Sequence, residues 1–241
     1  MPATRTVEVV TADGPMALYE ARPDDVATPA RGAIVLQEAF GVNGYIEDVT
    51  RRLATQGYLA VAPHVYHRSG DPVFGYDDYS DVPRHVEALG DPGILADVDA
   101  SVDHLEHAGI AAAAIGVVGF CMGGRATFLT ATSRALGAAV TFYGAAIVTG
   151  RSKTVPALVD RVASLATPWL GLFGEEDPSI PLADLDRLRS ELDTAATVAW
   201  DIVTYLGAGH GFHCDQRDAY RAGPAADAWA RTLAFFDQHL P

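Results

Sequence analysis

A chain of 241 residues, 49% hydrophobic and 20% charged, has enough apolar mass for one large core, and this composition excludes disorder. Thirty-one acidic against 17 basic residues give a formal charge of −14, which repels a phosphate backbone and disfavours nucleic acid as a partner. Two cysteines make no disulfide scaffold, no apolar run reaches the roughly 20 residues of a membrane span, and the N-terminus lacks a signal-peptide h-region. A soluble, cytoplasmic protein with no membrane partner is expected.

In chain order, residues 4–22 alternate around Asp13-Gly14-Pro15, which predicts a hairpin-like opening. The near-continuous apolar run 31–38 predicts a strand covered on both faces. A helix over 45–56 follows, with Ile46, Val49 and Leu53 on one side, then a strand over 58–63. Segment 64–90 shows no sustained period and reads as an active-site loop or lid. Residues 93–107 predict an amphipathic helix, 115–120 a short buried strand, and 122 to about 134 a small-residue helix. Strands are predicted at 138–144, 168–174 and 197–206, a helix at 183–193, and a last helix at 218–239. Strands alternating with helices specify an α/β class: a mostly parallel sheet covered on both faces by helices. No interdomain linker or internal repeat is visible, so 1–241 is expected to be one domain without a large cap.

The sharpest motif is Gly119-Phe120-Cys121-Met122-Gly123-Gly124, between an apolar strand and a helix. It is a G-x-nucleophile-x-G arrangement with cysteine in the serine position. A nucleophile on a tight strand-to-helix turn needs glycine or very small neighbours. The helix N-terminus favours a thiolate and leaves backbone N–H groups for an oxyanion. The blander alternative is a glycine-rich turn holding a buried, inert thiol.

A thiol nucleophile needs a base, and the base an orienting acid. His210, bracketed by glycines in Gly207-Ala208-Gly209-His210-Gly211-Phe212, follows the last strand and is the candidate base. Phe173-Gly174-Glu175-Glu176-Asp177-Pro178 ends the preceding strand with three acids. Asp177 is favoured, since it lies farthest into a loop stiffened by Pro178 and Pro181, with Glu175 and Glu176 as alternatives. The order nucleophile, acid, histidine is that of α/β-hydrolases.

Val35-Leu36-Gln37-Glu38-Ala39-Phe40-Gly41 lies where such a fold draws its second oxyanion donor. Ala39 N–H and Met122 N–H are the expected pair. Glu38, at the end of a buried apolar strand, must be paired or protonated. Either it serves the nucleophile, or it forms a structural salt bridge, with Arg125 as the candidate partner.

Together, QEAFG at 37–41, GFCMGG at 119–124, the acid at 177 and GAGHGF at 207–212 resemble the dienelactone hydrolase family of cysteine α/β-hydrolases over nearly the whole chain. The resemblance implies an α/β-hydrolase fold and a catalytic Cys121–Asp177–His210 triad. It also implies that Glu38 keeps the resting thiol neutral and takes its proton when substrate binds. It places Tyr143, of Tyr143-Gly144, on the pocket wall, and implies hydrolysis of enol-lactones such as dienelactone. No cofactor is called for.

Two departures bear on the substrate. The family's carboxylate-binding arginine, four residues beyond the histidine, is Cys214 here, and Arg68 is the candidate stand-in for the arginine expected after the fourth strand. The loop rim carries Asp71, Asp77, Asp78, Asp81 and Glu87, with Asp91 at its border, a pattern that disfavours highly anionic substrates. Phe40, Phe212, Tyr143, Arg68 and Cys214 are the candidate substrate contacts. His210, His213 and Cys214, with His64 or His67, have the spacing of a metal site, but the triad explains the same residues with fewer assumptions, and no metal is expected. The expected partner is a small ester or lactone. A promiscuous carboxylesterase or thioesterase is the alternative, and a non-catalytic binding protein with a redox-sensitive Cys121 is a reading of another class. Nothing in the sequence separates a monomer from a homodimer.

Overall fold

The computed structural model describes residues 1–24 and 29–241. Its centre is an eight-stranded sheet. The strands are β1 (Ala3–Thr11), β2 (Gly14–Arg22), β3 (Gly32–Leu36), β4 (Leu59–Pro63), β5 (Ile115–Phe120), β6 (Ala138–Phe142), β7 (Trp169–Gly174) and β8 (Trp200–Tyr205), in the order β1-β2-β4-β3-β5-β6-β7-β8. β1 pairs antiparallel with β2, and β2 with β4; the other pairs are parallel. Among the described residues, five α-helices flank the sheet: α1 (Gly44–Thr55), α2 (Val82–His107), α3 (Met122–Ala131), α4 (Leu182–Ala195) and α5 (Ala222–His239). This is the mostly parallel, helix-flanked sheet of an α/β-hydrolase.

β3 through β7 are buried along their whole length. That is why they read as continuous apolar runs, whereas β1, at the edge, alternates. α1 begins where the Asn43 side chain accepts the Ile46 N–H at 3.2 Å, and it buries Ile46, Val49 and Leu53 against the core. Phe236 of α5 packs against Gly116 of β5, where a Cβ would meet its ring at 2.7 Å.

Several boundaries differ from those expected. Segment 64–90 is not a single loop: it carries a 3₁₀ turn at His67–Ser69 and the first turns of α2, whose path bends at Gly90 (φ 59°, ψ 157°). The helical spacing of Val82, Val86 and Leu89 is present there, but Pro83, Gly90 and Pro92 break the period a sequence window would detect. β6 stops at Phe142, so Tyr143 and Gly144 leave the sheet, and α5 starts at Ala222 rather than 218. The strand order reverses around β3, which places the ends of β3, β5, β7 and β8 round one crevice, as in other open α/β sheets.

Candidate active site

Cys121 sits between β5 and α3 with φ 54° and ψ −113°, a conformation that L-residues rarely adopt. The surroundings hold it there. Its N–H donates to Phe142 O at 3.1 Å, and the Gly123 N–H donates to Gln37 O at 3.0 Å, joining the turn to the end of β3. A Cβ on Gly119 would run into the Gly123 carbonyl, and one on Gly123 into the Leu36 and Gln37 carbonyls. Glycine at these two positions is therefore a packing requirement.

His210 lies in the loop after β8, its Nδ1 2.7 Å from Asp177 Oδ2. The other oxygen of Asp177 accepts the Ser179 N–H at 2.8 Å and the Ser179 hydroxyl at 2.6 Å. Burial alone would raise the Asp177 pKa, but the hydrogen bonds and charge of His210 and the Ser179 donors outweigh it and hold it low. Burial also works against a charged His210. The Cys121 sulfur and the Asp177 carboxylate overcome it and push His210 up to about 10. Nδ1 is occupied by Asp177, which leaves Nε2 for Cys121. Glu175 instead accepts the Thr204 hydroxyl at 3.0 Å, and Glu176 faces outward.

Glu38 is fully buried just beyond β3, and its partner is Arg217, not Arg125: Nη1 approaches Oε1 at 3.3 Å. Its second oxygen has no hydrogen-bond partner among the described residues. Burial raises the Glu38 pKa further than Arg217 and His210 lower it. The Arg217 guanidinium also lies over the rings of Phe40 and Tyr76, at 5.5 and 5.3 Å. Arg125 turns to the far wall, donating to Asp91 Oδ1 and to the Pro156 carbonyl, both at 2.6 Å.

Cys121, Met122, Ala39 and His210 open onto a cavity of about 340 Å³, whose far wall includes Val82, Val86 and Val155. Tyr66 donates its hydroxyl to the Ala39 carbonyl at 3.1 Å, fixing the peptide beside the expected oxyanion donor. None of the five expected substrate contacts lines this cavity. Arg68 is engaged elsewhere, with Asp97 accepting from both Nη atoms at 2.8 Å and Asp13 from Nε at 2.7 Å. Cys214 is buried, its Sγ 3.2 Å from the Tyr76 hydroxyl, and burial raises its pKa to about 11. Phe40 packs between Tyr76 and Tyr79, and Phe212 between Tyr143 and Tyr205. Tyr143 meets the His210 ring edge-on, 5.2 Å between centroids.

His213 is stacked on Phe120, with Nδ1 2.7 Å from the Tyr45 hydroxyl, and burial lowers its pKa to about 3, which keeps it neutral. His64 and His67 pair with Asp71 and Asp97. Among the described residues, no three His, Cys, Asp or Glu side chains are arranged to hold a metal ion. Sequence reasoning missed Arg217 and Ser179. Ser179, two residues beyond Asp177, could have been found as the hydroxyl of an Asx-type turn; Arg217 carries no local signature.

Residues 16–240 match the dienelactone hydrolase family. The chain belongs to that family. It is 39% identical over 235 residues to a Methylorubrum extorquens protein provisionally named carboxymethylenebutenolidase, covering 97% of this chain and 80% of the relative. It is 35% identical over 225 residues to a Bradyrhizobium protein provisionally named 2-oxo-3-(5-oxofuran-2-ylidene)propanoate lactonase, covering 92% and 89%. The crystal structure of a provisionally assigned dienelactone hydrolase from Klebsiella pneumoniae superposes with a TM-score of 0.88 at 38% identity, covering 98% of this chain and 99% of that one. The chain is thus a carboxylic ester hydrolase of the dienelactone hydrolase family, acting on lactone or ester substrates, and the binding-module reading gives way. Among the described residues, no helix is long and apolar enough to cross a membrane.

Proposed function

We propose that the protein hydrolyses enol-lactones or activated esters through an acyl-enzyme on Cys121. The observation that carries this reading is the 2.7 Å contact of His210 Nδ1 with Asp177, with Cys121 and His210 opening onto one cavity. In the proposed cycle the Cys121 thiolate, paired with the His210 imidazolium, attacks the substrate carbonyl. The resulting oxyanion is met by the Ala39 and Met122 N–H groups. Met122 is the first residue of α3, so its N–H has no intrahelical acceptor. Collapse breaks the C–O bond, and His210 Nε2–H protonates the departing enolate or alkoxide. Neutral His210 then takes a proton from water as its oxygen adds to the thioester. The second collapse releases the acid and returns the thiolate–imidazolium pair. Asp177 keeps Nδ1 protonated throughout.

Glu38 is proposed as the buried acid that exchanges a proton with Cys121. Its raised pKa suits that role; its contact with Arg217 corresponds to the stage at which Cys121 is left to His210. A good leaving group suits a sulfur nucleophile, because a poor alkoxide is outcompeted by return of the thiolate. The Bradyrhizobium relative, named for a 5-oxofuran-2-ylidene lactone, supports an enol-lactone. The reading extends to a single catalytic domain spanning 1–241 that acts on a small molecule. It also extends to a cytoplasmic location, where reducing conditions preserve a reactive thiol.

Intact-mass trapping with an activated ester tests the assignment. One acyl group on Cys121, absent in Cys121→Ala, is the expected result; acylation confined to Cys214 would overturn it. Enol-lactone turnover exceeding that of an open-chain alkyl ester of equal size separates the lactonase from a general esterase.

A further inference from the structure

The proposed reaction makes the two ends of the cavity unequal. The departing oxygen must receive its proton from His210, so the leaving group belongs at the end lined by His210, Pro178 and Ser179. In an activated open-chain ester, whose acyl group is not tethered to the departing oxygen, that group, with its carbonyl oxygen on the Met122 amide, points the other way. There the wall is Val82, Val86 and Val155, and a smaller recess adds Ile94 while sharing Val86, Met122, Arg125 and Val155 with the main cavity.

Among the described residues, Arg125 is the one guanidinium buried at this end, and its charge is already met. Asp91 accepts from Nη1 and Nη2 at 2.6 and 3.3 Å, Pro156 O from Nη2 at 2.6 Å, and Ala146 O from Nε at 3.3 Å. These bonds also tie α2 to the chain beyond β6. Glu87 adds to them, accepting the Ser152 and Thr154 hydroxyls at 3.1 and 2.7 Å. This end of the cavity, with its recess, is therefore preformed, apolar in its surface and neutral in its charge balance; Glu87 and Arg151 are exposed at the rim of the main cavity.

We propose that this end of the cavity, with the recess behind it, is an acyl subsite, and that an ester substrate carries an apolar acyl arm of medium length lying along Met122, Val86 and Val155. The inference rests on the acyl-Cys121 reading. Val86 and Val155 become specificity-determining residues, since they bound the space the arm fills.

A series of 4-nitrophenyl esters, with one leaving group and acyl chains from acetate to hexanoate, tests it. Each methylene removed from water is worth about fourfold, so burial of even two of the four added methylenes should raise kcat/KM roughly tenfold or more across the series. The mono-4-nitrophenyl ester of glutaric acid, which carries a carboxylate into the recess, should react roughly tenfold more slowly than the hexanoate. Val86→Trp, which fills the recess, and Val86→Asp, which charges it, should each bring the hexanoate-to-acetate ratio close to one. A flat or falling wild-type series, or a ratio retained in both variants, overturns the subsite. Mass spectrometry on the same esters separates the two ideas: equal acylation of Cys121 by acetate and hexanoate defeats only the apolar arm. Failure of both esters to acylate Cys121 defeats the acyl-enzyme reading and the arm with it.

Discussion

The catalytic floor and the far wall of the cavity are built on opposite principles. The floor comes from short segments at strand ends: 38–39 after β3, 121–122 after β5, 177–179 after β7 and 210 after β8. Each residue there is within a few positions of the end of a strand, so the sheet itself fixes its place. The wall comes from two longer connections, the first turns of α2 and the chain at 145–155, joined through Arg125 and Glu87. One part of the site is positioned by backbone registry, the other by side-chain ties. Chemistry should be intolerant of change in the first, and substrate choice adjustable in the second.

The largest expected effect is at the floor. Cys121→Ala should lower kcat/KM for an activated ester by about 10⁴-fold or more, with His210→Ala close behind, in steady-state assays on folded protein. Activity retained within tenfold in either would break the comparison. Next, Asp177→Asn should keep the fold by circular dichroism but cut kcat by about 10²–10⁴, because the amide no longer fixes the protonated Nδ1 of His210. Glu176→Gln should stay within about twofold, since that side chain faces outward. The opposite pattern would move the orienting role to Glu176.

A third test concerns the support behind the floor. Cys214→Arg replaces the expected carboxylate anchor's position, but the thiol there is buried against Tyr76. The variant should therefore lose about 2–4 kcal/mol of stability in urea melts and gain no preference for a carboxylated lactone. A stable variant selective for the anion would show that this position reaches substrate after all. The smallest effect is expected at Ser179→Ala. Losing one hydrogen bond to Asp177 should cost about fivefold in kcat, with Ser179→Thr restoring most of it. Equal losses in the alanine and threonine variants would mean that the backbone N–H alone holds the acid.

The difference between floor and wall also governs what could be read beforehand. Gly119 and Gly123 advertise the turn at Cys121, because only glycine survives carbonyl oxygens packed that closely. Gly209 and Gly211 likewise bracket His210 in the sequence. By contrast, Arg68 looked available as an anion anchor and is held by Asp97 and Asp13, residues 29 and 55 positions away. Arg125 stood next to the elbow as a partner for Glu38, but Asp91, on α2, takes it.

By itself, the sequence determined the alternating strands and helices, the α/β class and the order of the candidate nucleophile, acid and base. These follow from local period and from steric demands that single residues record. Only the tertiary structure decided that Arg217 faces Glu38, that Ser179 shares Asp177 with His210, and that α2 rather than a loose loop walls the cavity. Which charge meets which depends on how the ends of separate strands are brought round one crevice. Long side chains such as arginine can reach several partners from there, and no spacing along the chain encodes the choice.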